Sequence, residues 1–214
     1  MSHVTLRAED WEAMPSRAYA NWFSTLEGMR SPVLIGTRSA GGVDNLAVFN
    51  SLTHIGARPP LLAFVLRPLT VERHTYDNLK ASGFYTVNHV TTGFLQAAHD
   101  TSAKFECGVS EFERVGLTPL DATGGAAPYV AESPVSMLLE FREEHHVSAN
   151  DTVIVVGAVR EIRVPTSLAE ASREVDWAAQ QAVVVSGLYR YYSVAFRQNL
   201  GYVRPADIPA ASGR

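Results

Sequence analysis

Asn45-Leu46-Ala47-Val48-Phe49-Asn50-Ser51-Leu52-Thr53-His54, closed by Pro59-Pro60, is the stretch on which the reading of this chain turns. It lies between two strong strand signals, Pro32 to Arg38 and Leu61 to Leu66. Its first half keeps the apolar/polar alternation of a strand. Yet it carries Asn, Ser, Thr and His where a strand would bury carbon. Buried amides and hydroxyls cost free energy unless something hydrogen-bonds them. A flat, heteroatom-rich ligand lying along the backbone would meet that need. Three further polar clusters are candidates for the rest of one site: Arg73-His74-Thr75 with Asn78, Asn88-His89, and Thr101-Ser102 with Lys104.

Outward from this stretch the pattern is mostly strand. Pro32 to Arg38, the tight turn Ser39-Ala40-Gly41-Gly42 and the run from Val43 read as a hairpin. Phe84 to Val90, Pro134 to Phe141, Thr152 to Val164 and Val183-Val184-Val185 read as further strands. The acidic, histidine-rich segment Arg142 to Asp151 reads as the linker of an antiparallel pair. Short helices are expected within Ala13 to Met29, over Arg73 to Ser82 with Gly83 as its stop, from Gly93 to His99, at Ser110 to Glu113 and over Ser167 to Arg173. Gly187 to Tyr192 fits either a strand or an aromatic-packing loop, and the tail after Pro205 is expected to fray. The regular strand–helix–strand rhythm of a doubly wound sheet is missing, so the pattern predicts a mainly β, antiparallel barrel with helical insertions. No repeat or linker divides residues 1–214, which favours one domain.

Composition narrows the function classes. The apolar fraction of 46% suits a globular chain with a real core. A net charge of −4, with no basic run, argues against nucleic acid as a partner. Cys107 is the only cysteine, which rules out an internal disulfide and any zinc site built from cysteine pairs. No apolar run approaches membrane-spanning length, and the first residues lack a secretory h-region. A reducing, cytoplasmic setting is the expectation, and no metal site is read. His145-His146 follows Glu143-Glu144, but adjacent rings point to opposite faces of a strand.

Dinucleotide and nucleotide fingerprints are absent: Gly41-Gly42 lacks a third glycine and leads into a strand, and neither a P-loop nor a serine-nucleophile elbow occurs. Thr75 and Asn78 share one helix face, with Arg73 and His74 beside the helix start. A helix N-terminus offers free N–H groups and a positive dipole end to an anion. Thr75 serves equally well as an ordinary cap. Thr101, Ser102 and Lys104 fit a second anion-binding cluster or a plain surface turn. Asn88, inside an aromatic strand, needs a partner that either a ligand or a neighbouring backbone can supply.

The order and spacing of these signals say more than each alone. Asn45-Leu46-Ala47, Pro59-Pro60, Thr75 with Asn78, Val87-Asn88, Ala98 to Ala103, Ser110-Glu111-Phe112-Glu113 with Gly116-Leu117, Glu132 to Val135, and Gly157 in a long strand form a series. The series resembles the flavin reductase-like family, and most of all its branch similar to nitrilotriacetate monooxygenase component B. The resemblance covers roughly Pro32 to Val164 and continues more loosely to Pro205. It implies an FMN-binding split β-barrel, with a core at about 30–165 and a C-terminal segment packed on the barrel or on a dimer partner. It also implies a homodimer with FMN near the subunit interface, and NADH or NADPH as co-substrate. Asn45, Leu46, Ala47, Phe49, Asn50, Ser51 and Thr53 would line the ring and ribityl edge, largely through backbone groups. Thr75, Thr101, Ser102 and Ala103, with the cations Arg73 and Lys104, would hold the phosphate, and Asn88 would brace the pocket. Asn50-Ser51 and Thr53 depart from the family's usual residues, so ring contacts there would differ.

Three readings follow. The first is an NAD(P)H-dependent flavin reductase, with a partner oxygenase as one destination for its product. The second is an FMN-binding electron carrier or sensor without nucleotide turnover. The third is a non-enzymatic interaction barrel. No catalytic side chain is assigned, and His54 and His89 are left between ring contact and structure.

Overall fold

The computed structural model describes residues 2–170 and 174–208. Its strands are β1 (Met29–Arg30), β2 (Val33–Arg38), β3 (Asp44–Phe49), β4 (Thr53–Ala57), β5 (Pro60–Leu66), β6 (Phe84–His89), β7 (Pro119–Asp121), β8 (Pro128–Val130), β9 (Ser136–Val147), β10 (Thr152–Arg163), β11 (Val183–Ser186) and β12 (Arg190–Ser193). Its helices are α1 (Ala8–Glu12), α2 (Ser16–Leu26), α3 (His74–Ser82), α4 (Leu95–Asp100), α5 (Glu111–Val115) and α6 (Thr166–Glu170). A seven-stranded antiparallel sheet runs β3-β2-β6-β9-β10-β5-β4. Its two edges, β3 and β4, are consecutive in the chain and joined only through Asn50-Ser51-Leu52. The sheet therefore curls back on itself while its edges stay unpaired, which is a split barrel. Two small sheets, β1-β11-β12 and β7-β8, attach to it.

The run Val33-Leu34-Ile35 is continuous because both faces of β2 are covered. Val33 and Ile35 enter a core with Phe64, Leu79, Tyr85, Leu139 and Val155. Leu34 points the other way, into a second core with Leu46, Phe94, Phe112, Val130 and Val183. Each fully buried aliphatic or aromatic side chain contributes roughly 1.5–3 kcal/mol, so these two layers carry the sheet. Gly157 sits in β10 because the Tyr85 ring occupies the space a Cβ would take. Gly83 ends α3 at φ 75°, a left-handed conformation that side chains resist.

The structure corrects several expectations. Arg142 to Val147 is not linker but the end of β9, and only residues 148–151 turn. Polarity there reflects a ladder that projects past the core, with Glu144 held by Tyr76 at 3.1 Å and Lys80 at 3.2 Å. The second half of the opening stretch is itself a strand, β4. Its Thr53-His54-Ile55-Gly56-Ala57 lacks a buried face because it lies at the sheet edge. The expected helix over Ser167 to Arg173 is α6 as far as Glu170, while 171–173 fall outside the described residues. The same holds for 209–214 in the tail. Gly187 to Tyr192 resolves into a turn leading into β12.

Candidate functional site

The site is built on the open edge of β3. The backbone N–H of Leu46 donates to Glu111 Oε2 at 2.9 Å, so it faces away from β2. Antiparallel ladders alternate bonded and unbonded pairs, so Val48, two residues on, also turns its N–H and C=O outward. That edge forms one wall of a cleft of about 750 Å³. The segment from Val65 to Thr75, the loop after α4 and the turn into β12 supply the other walls.

At one end the polar residues of β2, β3 and α3 converge. Asn45 Nδ2 donates to Thr37 Oγ1 at 3.3 Å and to Thr75 Oγ1 at 3.2 Å. Asn78 Nδ2 donates to the same Thr37 hydroxyl at 3.2 Å. No side chain caps α3, so Thr75 is not a cap; its hydroxyl is fixed by Asn45. The leading N–H groups of that helix stay open beside it. Arg73 reaches Pro68 O with Nη2 at 3.5 Å, whereas its buried Nε finds no partner among the described residues. A buried guanidinium N–H without an acceptor is costly unless an anion arrives.

Asn45, Ala47, Phe49, Asn50, Ser51, Arg73, Thr75, Thr101, Ser102, Ala103 and Lys104 all line this one cleft. Within it, Asn50 Nδ2 donates to Gly187 O at 3.0 Å, and Ser51 Oγ accepts from Val65 N at 3.0 Å. Those two side chains tie the link between the sheet edges to the turn after β11 and to β5. Thr101 Oγ1 donates to Ala98 O at 2.8 Å, so its hydroxyl is turned into the helix end, while Ser102 and Lys104 are exposed on the loop.

Three expected site residues lie elsewhere. Leu46 is fully buried in the second core, and its N–H is already taken by Glu111. Thr53 is exposed on β4, off the cleft, because the chain has passed to the other sheet edge by then. Asn88 is fully buried and saturated: Nδ2 donates to Leu34 O at 3.1 Å and Thr86 Oγ1 at 2.9 Å, and Oδ1 accepts from Val130 N at 2.9 Å. Of the two partners the sequence left open for it, ligand or neighbouring backbone, the structure gives it backbone, with Thr86 besides. His89 stacks on Trp177 at 4.4 Å between ring centroids, and burial pushes its imidazole down to about 4. Neither His89 nor His54 lines the cleft.

Several lining residues escaped the sequence reading. Glu111 is buried under the cleft floor, and burial pushes its carboxyl up despite the Leu46 N–H. An acidic residue next to Phe112 at a helix start gives no burial signal of its own. His99 Nδ1 meets Tyr191 Oη at 2.9 Å, with Tyr189 edge-on at 6.1 Å, joining the end of α4 to β12 and the turn before it. Val48 lies within the run Asn45 to Ser51 expected to line the site through backbone groups, and it does line the cleft. Among the described residues no helix is long and apolar enough to cross a membrane.

Comparison with known proteins agrees with this architecture. The profile of the family described as "Flavin reductase like domain" matches residues 26–188. A split-barrel protein from Shewanella frigidimarina NCIMB 400, assigned as a flavin reductase, is 34% identical with a TM-score of 0.89, over 94% of this chain and 100% of its own. Nitrilotriacetate monooxygenase component B from Bacillus cereus is 16% identical with a TM-score of 0.81, over 94% and 100% of the two chains. An NADH:FAD oxidoreductase from Streptomyces globisporus C-1027 is 16% identical with a TM-score of 0.66, over 91% and 99%. At such identities the last two speak for the fold alone. With the family profile spanning most of its length on an unclosed antiparallel barrel, the chain belongs to the flavin reductase-like family of oxidoreductases.

Proposed function

We propose that this protein binds FMN in the β3 cleft and reduces it with NADH or NADPH, as a homodimer in which the whole chain forms one flavin-binding unit. The observation that carries the reading is the unpartnered Arg73 Nε beside Thr75 and the open start of α3, at the end of a cleft walled by a bare strand edge. A phosphate suits the first feature and a heteroaromatic ring edge suits the second, and FMN carries both. The residues present therefore fit the group.

In this reading Arg73, Thr75, Ser102 and Lys104 hold the phosphate through charge and hydroxyl donors. The outward N–H and C=O groups of Val48, with Asn50 and Ser51 beyond, orient the ring. N–H donors aimed at a site of developing negative charge need no reorganisation at the moment of transfer. Bound FMN supplies hydride acceptance from the nicotinamide, and the protein supplies position and polarity. Glu111 fixes β3 through Leu46 and so fixes the donor edge. Tyr189 and His99 narrow the outer part of the cleft, where a nicotinamide would enter.

The homodimer rests on exposed apolar groups near the cleft and on the outer elements: Tyr189, Tyr192 and Phe196 at the C-terminal side, and Tyr19, Phe23 and Leu26 on α2. Delivery of reduced flavin to a partner oxygenase is the destination we favour, as the sequence's resemblance to the nitrilotriacetate monooxygenase component B branch of the family implies.

The test is spectroscopic. Added FMN is expected to bind with its absorbance perturbed, and rapid mixing with NADH or NADPH is expected to bleach it. Tight flavin retention without bleaching by either nucleotide replaces the reductase reading with an electron carrier. Absence of any flavin binding, with FAD tried as well, removes both.

A further inference from the structure

Three donor side chains of different chemistry meet on the rim of the cleft. Glu72 and His74 flank Arg73 at the start of α3, and Cys107 comes from the loop between α4 and α5. One carboxylate oxygen, one imidazole nitrogen and the thiol sulfur all lie within 4.8 Å of one another. All three residues line the cleft. We propose that Glu72, His74 and Cys107 form a three-donor site for a borderline-soft divalent cation of the zinc class, with its fourth position open to the cleft.

The donor set selects the cation. Magnesium and calcium take oxygen-rich cages, and this cluster offers one carboxylate among its three donors. A thiolate, an imidazole and a carboxylate are ordinary ligands of Zn²⁺ and Co²⁺, and three protein ligands with one open position are the usual form of an accessible zinc site. Tetrahedral bonds of about 2.0–2.3 Å put ligand atoms roughly 3.3–3.7 Å apart. His74 Nε2 and Glu72 Oε2 are already 3.7 Å apart. Cys107 needs to close by no more than about 1 Å, within reach of a side-chain rotation on an exposed residue. The ring of His74 is the less exposed of that ion pair, at 27% against 65% for Glu72, so it is the fixed point of the cluster. Binding releases the thiol proton to solvent, so occupancy falls as pH falls.

The sequence hid this site. Cys107 is the sole cysteine and lies far along the chain from the other two donors, so no ligand spacing exists to be read. The inference does not depend on flavin, and its test uses metal alone. Titrating the flavin-free full chain with Co²⁺ is expected to give a thiolate-to-metal charge-transfer band that saturates at one equivalent and is displaced by Zn²⁺. Cys107→Ser is expected to abolish the band. Glu72→Gln and His74→Asn are each expected to weaken Co²⁺ binding by at least about tenfold, the lower end of what outer-shell changes alone cost metal sites. Far-ultraviolet circular dichroism establishes that each variant is folded, and Glu72, largely exposed, gives a variant least prone to misfold. Absence of a saturable band in the wild-type chain overturns the proposal. So does a band unchanged in both Glu72→Gln and His74→Asn, which is a lone thiol taking up metal.

Discussion

Two buried polar regions lie on either side of β2, one at β6 and one at β3, and they differ in how their polar groups are met beside the cleft. Around β6 and β8, every polar group of Asn88 is used: Leu34 O, Thr86 Oγ1 and Val130 N take all its capacity. Ser133 adds to the same region by donating to His89 O at 2.9 Å and Val135 O at 3.0 Å, and the two unpartnered hydroxyls there, Tyr85 Oη and Ser136 Oγ, lie off the cleft. Around β3 and α3 the account does not close. Asn45 spends its amide hydrogens on Thr37 and Thr75, but the Arg73 Nε and the outward backbone of Val48 are left over beside the cleft. Saturated buried polarity is architecture, whereas unsaturated polarity beside a cavity is a site. The first region fixes the barrel so that the second can stay incomplete.

The comparison breaks most visibly at Asn88. Asn88→Leu strands a buried N–H of Val130 and loses two further bonds, so chemical denaturation is expected to show a loss of about 3–5 kcal/mol. Flavin affinity of the molecules still folded is expected to hold. If stability holds and affinity falls instead, the two regions have been assigned the wrong way round.

Next in size is a pH effect that belongs to the closed region. Burial lowers His89 from the ordinary 6.5 to about 4. As pH falls, the unfolded chain takes up the proton first, so the folded state loses stability. That contribution is whole above about pH 6.5 and declines toward pH 4, by at most about 3 kcal/mol. Urea midpoints measured across this window on the wild type and on His89→Phe are expected to diverge as the pH drops, with the variant lacking this component.

The open region is expected to respond in the opposite sense. Arg73→Ala removes a charge-assisted donor worth about 1.5–3 kcal/mol to an anion, so FMN binding is expected to weaken by roughly 10–100-fold. Its unfolding free energy is expected to change by less than about 0.5 kcal/mol, because the only hydrogen bond lost is the long one from Nη2 to Pro68 O at 3.5 Å. Equal losses in affinity and stability would make Arg73 part of the frame. The smallest effect is expected at Thr53. Thr53→Ala lies on an exposed edge strand off the cleft, and both flavin affinity and stability are expected to stay within about 0.5 kcal/mol of the wild type.

Much of the barrel was legible because strand alternation and glycine stops act locally. Val33 to Arg38, the turn at Gly41-Gly42, and Gly83 after α3 each carry their own signal. β4 was missed because an edge strand has no buried face to alternate. The end of β9 was missed because a ladder can run past the core on paired backbone alone, with Glu and His along it. Within the site, Asn45, Thr75 and Ser102 were each visible as polar residues in or beside apolar elements, and they do line one cleft. Asn88 gave the same signal as Asn45 and proved saturated. Glu111 gave none, although it meets Leu46 across 65 residues of chain.

The sequence alone determined which residues alternate, where the chain must turn, and that several amides and hydroxyls would be buried and in need of partners. Only the tertiary structure decided which of them found partners. Hydrogen-bond satisfaction belongs to pairs, and the register of β2 against β3 and β6, with loops brought in from far along the chain, sets the pairs. A residue's chemistry is written in its own position; its unmet valence is written only in what folds against it.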